Sequence, residues 1–280
     1  MNGGESSLAK VFQDAEKHRV ISDIISKHLC NKNDIRAKAL NHQDLSGYQN
    51  ILDLGCGFGF FTEALKGRVH PEAQITGIDK YPEYEWFYLQ SCKKAGIKAN
   101  FISNDITFIE QLNKNTFDLI LCSYALYFFP EAIEHISRIL KDDGSFIAIT
   151  HAIPHMREFT TYVRSILKKN GHLFTNDLPY ETLINRFSDK NGEEMLQPFF
   201  SKINVQEYKG KLAFDSGDHE NLISYFNFKH SFFIPEVLDP DDELHKKVAS
   251  SIKEDLETNE GINITKNDVI FVCSGPIDKL

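Results

Sequence analysis

Residues 50–65, NILDLGCGFGFFTEAL, constrain this chain more than any other stretch. An apolar run closes on Asp53, glycines alternate at positions 55, 57 and 59, and a helix-forming segment follows. The spacing predicts a strand, a glycine-rich loop and a helix. Without a Cβ, glycine lets the backbone turn sharply and lets a ligand approach its N–H groups, at the positive end of the helix that follows. The competing reading is a tight strand-to-helix connection with no ligand. A second signal favours the ligand: residues 74–79, QITGID, read as another strand and end in an acid 20 residues beyond Gly59. In an α/β nucleotide fold a carboxylate at that place accepts ribose hydroxyl hydrogen bonds.

The glycine spacing helps to choose the nucleotide. A dinucleotide fingerprint reads G-x-G-x-x-G, its last glycine letting the helix pack under a pyrophosphate. Here the third glycine comes one residue early and Phe60 and Phe61 follow, which disfavours pyrophosphate. DLGCGFG instead resembles motif I of the class I S-adenosylmethionine-dependent methyltransferases, an acidic residue followed by x-G-x-G-x-G. The resemblance continues in order through Asp79 as the ribose acid, NDI at 104–106 as the adenine-proximal motif, FDLILCSYALYFF at 117–129 as motif IV with its following segment, and LKDDGSFIAIT at 140–150 as the strand-five motif. It implies an enzyme whose cofactor is S-adenosyl-L-methionine, bound by Asp53, Gly55, Cys56, Gly57, Gly59, Asp79, Lys80, Asp105, Ile106 and Ser123. Asp53 would orient the methionine amino group.

Periodicity predicts strands at 50–54, 74–79, 98–103, 117–122 and 144–151, with helices near 60–67, 83–95, 106–113 and 131–140 between them. Such alternation builds a parallel sheet covered by helices, with ligands outside the carboxyl ends of the strands. Asp53, Asp79, Asp105 and residues 123–127 all fall at those ends. Beyond Thr150 the spacing predicts helices over 151–174, 176–187 and 239–257 and strands over 203–214 and 266–276. The resemblance implies a doubly wound, seven-stranded, mostly parallel sheet of Rossmann-like methyltransferase type with an added helical cap. Strands 203–214 and 268–274 would form its closing hairpin. The phenylalanine-rich segment between them is loosely similar to the acceptor-binding cap of small-molecule enzymes such as histamine N-methyltransferase and juvenile-hormone acid methyltransferase. The expected domains are a helical lid (1–48), a cofactor-binding core (49–214), an acceptor cap (215–265) and a final sheet strand (266–280). Residues 7–29 have helical spacing, and Phe12, Gln13 and His18 are candidates for lining the acceptor pocket or, equally, for plain packing.

A net charge of −9 and the lack of a basic run disfavour nucleic acid as partner. No stretch approaches the roughly 20 apolar residues of a membrane span, and the amino terminus lacks an apolar signal core, so a soluble, cytoplasmic protein is expected. Oligomeric state is not legible. Cys30, Cys56, Cys92, Cys122 and Cys273 are scattered and odd in number, which suggests reduced thiols and neither a disulfide framework nor a zinc site.

A sulfonium is already an excellent leaving group, so methyl transfer needs a lone pair held in line with the methyl carbon and water kept out. No residue spacing here points to a metal, although spacing does not report on a site assembled in three dimensions. The family's N-P-P-Y type motif for amide or exocyclic amine methylation is absent, CSYALYF standing in its place. Cys122 reads as a small core residue. Tyr124 and Tyr127 lie where the acceptor must come, as pocket residues or as structural aromatics. His151 and His155, at the end of the fifth strand, are candidates for a general base or for polar caps. The expected activity is methyl transfer to a small-molecule carboxylate, amine or hydroxyl, with Tyr124, Tyr127 and His151 as catalytic candidates. The alternatives are a protein or RNA methyltransferase, a nicotinamide-dependent oxidoreductase and a catalytically silent cofactor-binding module.

Overall fold

The strand that feeds the glycine loop, β1 (Asn50–Leu54), is buried at its last four positions, the pattern of a strand covered on both faces. In the computed structural model, which describes residues 8, 10–172, 175–239, 241–259 and 261–277, seven further strands follow. They are β2 (Gln74–Asp79), β3 (Lys98–Ser103), β4 (Phe117–Ser123), β5 (Leu140–His155), β6 (Phe200–Tyr208), β7 (Lys211–Phe214) and β8 (Ile262–Pro276). The longer helices are α1 (Ala15–His28), α2 (Glu85–Ala95), α3 (Ile133–Ile139), α4 (Arg157–Lys169), α5 (His219–Phe233) and α6 (Glu243–Thr258). Contacts divide the chain into two units, one of Asn33–Ala152, Arg186–Tyr208 and Asp268–Leu280, the other of Met1–Lys32, Ile153–Asn185 and Lys209–Asn267.

The first unit holds the sheet in the order β3-β2-β1-β4-β5-β8-β6. β1 pairs in parallel with β2 and β4, β2 with β3 and β4 with β5, whereas β6 and β8 are antiparallel. This is the expected mostly parallel, doubly wound α/β sheet. Its order reverses between β1 and β4, the switch point at which such sheets open a ligand crevice beyond their carboxyl ends. Ile51, Leu119, Leu121, Ile147 and Ile270 are almost fully buried in one core with Leu65, Tyr88 and Cys92.

Three local expectations change. The segment after the loop is not a helix over 60–67 but a 3-10 turn, Thr62–Leu65. Phe61 supplies no side-chain cap and Gly67 ends the run at φ +69°, so too few hydrogen bonds form to offset helix nucleation. Residues 106–111 likewise form a 3-10 turn. The strand expected over 203–214 breaks at Gly210, where a Cβ would stand 2.6 Å from the Lys266 carbonyl oxygen. β7 beyond the break pairs antiparallel with the start of β8 as an eighth strand, off the main path.

The second unit has its own aromatic core. α5 buries Leu222, Tyr225, Phe226, Phe228, Phe232 and Phe233, and Phe159 of α4 packs against Tyr225, Phe226 and Phe233 with ring centroids 5.3–5.6 Å apart. Phe12 and His18 join this unit: His18 stacks on Phe228 at 5.6 Å, and burial, helped by the Lys229 charge, drives its pKa down to about 3. Gln13 is exposed. The expected helix over 151–174 begins only at Arg157, because residues 151–155 belong to β5; Leu173 and Phe174 lie outside the described residues. So do residues 1–7 and Ala9 of the expected lid, Pro240 and Glu260 of the expected cap, and residues 278–280 of the final strand. Among the described residues no helix is long and apolar enough to cross a membrane.

Candidate cofactor site

The loop's three glycines all sit in the left-handed region, at φ +61°, +49° and +80° for Gly55, Gly57 and Gly59. Two also permit close packing: a Cβ on Gly55 would meet that of Ala125 at 2.5 Å, and one on Gly59 that of Ser91 at 2.9 Å. At Gly57 nothing stands closer than 3.9 Å, so there the backbone conformation alone demands glycine. α2 braces the loop, the Ser91 hydroxyl donating to the Phe58 carbonyl at 2.8 Å.

The loop's N–H groups turn inward, against expectation. Those of Gly55 and Cys56 donate to the Ile78 carbonyl (2.8 and 3.2 Å), that of Gly57 to Asp79 Oδ2 (2.9 Å) and that of Gly59 to the Cys56 carbonyl (2.9 Å). With no α-helix following, the loop offers shape and carboxylates rather than an array of donors for an anion.

Asp53 is the carboxyl of the site that keeps an unmatched oxygen among the described residues. It is 2% exposed, and among the described residues its Oδ2 has no hydrogen-bond partner. Burial first, and the Asp79 charge second, push its carboxyl well above the ordinary range. The Thr62 hydroxyl opposes that rise without reaching hydrogen-bonding geometry. A buried, unsatisfied acceptor of this kind fits a cationic ammonium, such as the one on the methionine portion of S-adenosylmethionine. Asp79, at the end of β2, is also raised by burial but is opposed by N–H donors, Gly57 to Oδ2 and Tyr81 to Oδ1 (3.0 Å). Each of its oxygens keeps further acceptor capacity for a ribose hydroxyl.

The other cofactor candidates take different places. Asn104 N–H donates to the Asp79 carbonyl at 3.0 Å, tying the end of β3 to that of β2. Asp105 is exposed and caps the turn beginning at Ile106 through Thr107 N–H (3.2 Å); Ile106 is half-buried. Lys80 is exposed. Ser123 ends β4, and its buried Oγ has no partner among the described residues. The Cys56 side chain points into the core, its sulfur 2.7 Å from where a Cβ on Gly77 would stand, and burial pushes its thiol well up. Cys122 is fully buried with its thiol also raised by burial, in keeping with a core role.

Beside these residues stands a polar cluster at the ends of β4 and β5. Tyr124 (φ +56°) is anchored through its N–H to the Ile149 carbonyl, and its hydroxyl donates to Asp268 Oδ2 at 3.1 Å. His151 Nδ1 lies 3.0 Å from Asp268 Oδ1, and its ring stacks with those of Tyr124 (5.2 Å, 29°) and Tyr127 (5.4 Å, 24°). Burial, then the Asp268 charge, raises the Tyr124 hydroxyl far above its usual value; burial does the same for Tyr127, so both stay protonated. The three catalytic candidates are thus together, two of them, Tyr124 and His151, bonded to Asp268, which the sequence reading missed. Its signal was an acid opening the apolar run VIFVC, and nothing local says that it meets residues 117 and 144 positions away. His155 belongs to the other unit, where its Nδ1 is bonded to the Tyr180 hydroxyl.

The fold is that of the class I S-adenosylmethionine-dependent methyltransferases. Residues 45–215 match the family described as methyltransferase domain, and the chain belongs to that family. An uncharacterized methyltransferase of Schizosaccharomyces pombe is 26% identical over 136 residues, 46% of this chain and only 50% of that protein's length. The demethylmenaquinone methyltransferase of Lactococcus lactis is 27% identical over 178 residues, 60% of this chain and 69% of that protein. Among solved structures, phosphoethanolamine N-methyltransferase 2 of Haemonchus contortus, in complex with phosphomonomethylethanolamine and S-adenosylhomocysteine, is similar in fold at TM-score 0.53 and 15% identity, over 99% of this chain and 61% of that one.

Proposed function

We propose that this protein transfers the methyl group of S-adenosylmethionine to a small-molecule acceptor. The observation that carries the reading is the buried Asp53 carboxyl beside the glycine loop, its Oδ2 without a partner among the described residues, with Asp79 at the neighbouring strand end. When bound, the cofactor supplies an electrophilic methyl on a sulfonium that leaves without protonation. Asp53 Oδ2 would accept from its ammonium and Asp79 from its ribose, while Asp105 and Ile106 would border the adenine. Gly55, Gly57 and Gly59 shape the cradle, Cys56 takes part through its backbone, and Lys80 and Ser123 complete the proposed contacts.

His151 holds the proton that a hydroxyl or amine acceptor gives up. An ionised carboxylate only accepts, so Asp268 fixes the proton of neutral His151 on Nδ1 and leaves the lone pair on Nε2. Tyr124 donates to the other Asp268 oxygen, and both tyrosine rings stack with the imidazole. An acceptor-binding role for residues 215–265 is part of this proposal. The small-molecule class is supported by the names of the Lactococcus and Haemonchus relatives and by the net charge of −9, which opposes a polyanionic acceptor.

The test is an assay of pooled metabolites with labelled S-adenosylmethionine, products identified by mass. A labelled metabolite supports the proposal. Binding of S-adenosylhomocysteine without any labelled product would leave a silent module, and label found in protein or RNA instead would overturn the acceptor class.

A further inference from the structure

In the second unit, three donor groups of metal-ligand type converge away from the cofactor residues. They are His230 near the end of α5, Asp242 just before α6 and His245 in its first turn, with one ligand atom from each within 4.8 Å of the others. Both imidazoles are oriented by one residue, Asn227. His230 Nδ1 lies 2.7 Å from the Asn227 backbone oxygen; a carbonyl only accepts, so Nδ1 carries the proton and Nε2 the lone pair. His245 Nε2 lies 2.8 Å from the Asn227 side-chain oxygen, which places its proton on Nε2 and its lone pair on Nδ1. The two rings lie nearly parallel, centroids 4.3 Å apart. His245 is further fixed through its backbone, because Asp239 accepts from the N–H groups of Leu244 (2.8 Å) and His245 (2.7 Å).

Histidines that ligate metals almost always donate their second N–H to an oxygen, which sets tautomer and ring orientation. Here that arrangement occurs twice on a single asparagine, with an exposed carboxylate adjoining. We infer that His230, His245 and Asp242 form a site for a divalent transition-metal ion of the zinc class. Two imidazoles and a carboxylate suit zinc, nickel or copper rather than the all-oxygen coordination of magnesium and calcium. Tetrahedral zinc with bonds of about 2.0–2.1 Å needs donor atoms about 3.3 Å apart. The donor atoms, within 4.8 Å of one another, would have to draw together and the two stacked rings tilt apart for both lone pairs to meet one ion. Three protein ligands leave the fourth position to water. The ion would clip α5 to α6 and stabilise that pair of helices.

The test uses the full chain with reduced thiols, because its five cysteines offer competing ligands. Zinc chloride is titrated calorimetrically into the wild type and into His230→Ala, His245→Gln and Asn227→Ala, with magnesium chloride as control and circular dichroism to establish folding. The two ligand variants should each lose one equivalent of zinc, and Asn227→Ala, which keeps all three ligands, should bind that equivalent about 10–100-fold more weakly. Zinc should raise the Tm of the wild type but not of His245→Gln, and S-adenosylhomocysteine affinity should be the same in all four proteins. Equal zinc stoichiometry and affinity in wild type and both histidine variants would overturn the inference, as would equal response to magnesium. Should one histidine variant fail to fold, the other and Asn227→Ala decide the same question.

Discussion

Replacing Asp53 by asparagine should stabilise the free protein and weaken its hold on the cofactor. Asparagine keeps the shape but removes a carboxylate that the fold buries without a partner on Oδ2. The neutral amide still lacks a partner but has no charge to desolvate, and burying an ionised group costs more than burying a neutral polar one, so Asp53→Asn should gain about 1–2 kcal/mol at neutral pH. At about 2–4 °C per kcal/mol for chains of 150–250 residues, that is a rise in Tm of a few degrees. The sign of the pH dependence follows from the upward shift. In the window above the unfolded carboxyl's value of 3.8 and below the raised folded one, the folded state binds more protons than the unfolded state. Asp53 therefore lowers stability as pH rises through that window, and its full cost is present above it. The advantage of Asp53→Asn should accordingly be smallest near pH 4 and grow toward pH 8. Binding should move the other way: a charge-assisted hydrogen bond is worth about 1.5–3 kcal/mol, so affinity for S-adenosylhomocysteine should fall roughly 10–150-fold. Urea denaturation at several pH values and titration calorimetry measure both effects. An Asp53→Asn protein less stable than the wild type at pH 8, with unchanged affinity, would refute the reasoning.

Asp79→Ala should weaken S-adenosylhomocysteine binding by at least about 1.5–3 kcal/mol by calorimetry, because it removes a ribose acceptor and also releases the N–H groups of Gly57 and Tyr81. Gly57→Val should abolish binding while circular dichroism stays native, since a branched residue at φ +49° strains the loop and puts its methyls into the space the ligand needs, while its Cβ meets no neighbour closer than 3.9 Å. Asp268→Asn should leave cofactor affinity within a factor of two or so and lower labelled methyl transfer roughly 10–100-fold, with the pH profile displaced, because the amide removes the negative charge and offers one acceptor oxygen where Tyr124 and His151 each use one, so its N–H donor competes for the His151 tautomer.

Much of the core was legible because its signals are local. An apolar run into Asp53, alternating glycines and an acid at the next strand end fix strand, turn and strand within 30 residues, and β1 and β2 lie where the periodicity puts them. The clustering of Tyr124, Tyr127 and His151 follows from the parallel sheet itself, since β4 and β5 end on the same side. What was missed depends on partners distant in sequence. Asp268 reads as the start of an ordinary strand until β8 is placed beside β5. The break between β6 and β7 arises because Gly210 closes on the Lys266 carbonyl, 56 positions along the chain. The inward turn of the loop's N–H groups depends on Ile78 and Asp79 of the neighbouring strand, which glycine spacing does not reveal. The pairing of His230 with His245 through Asn227 needs two helices packed together.

The most direct test of the cofactor assignment is a crystal structure of the protein with S-adenosylhomocysteine bound. The assignment requires the ligand's amino group at about 3 Å from Asp53 Oδ2 and a ribose hydroxyl at a similar distance from Asp79. A ligand bound elsewhere, or bound in the cradle with Asp53 Oδ2 still unpartnered, would contradict it.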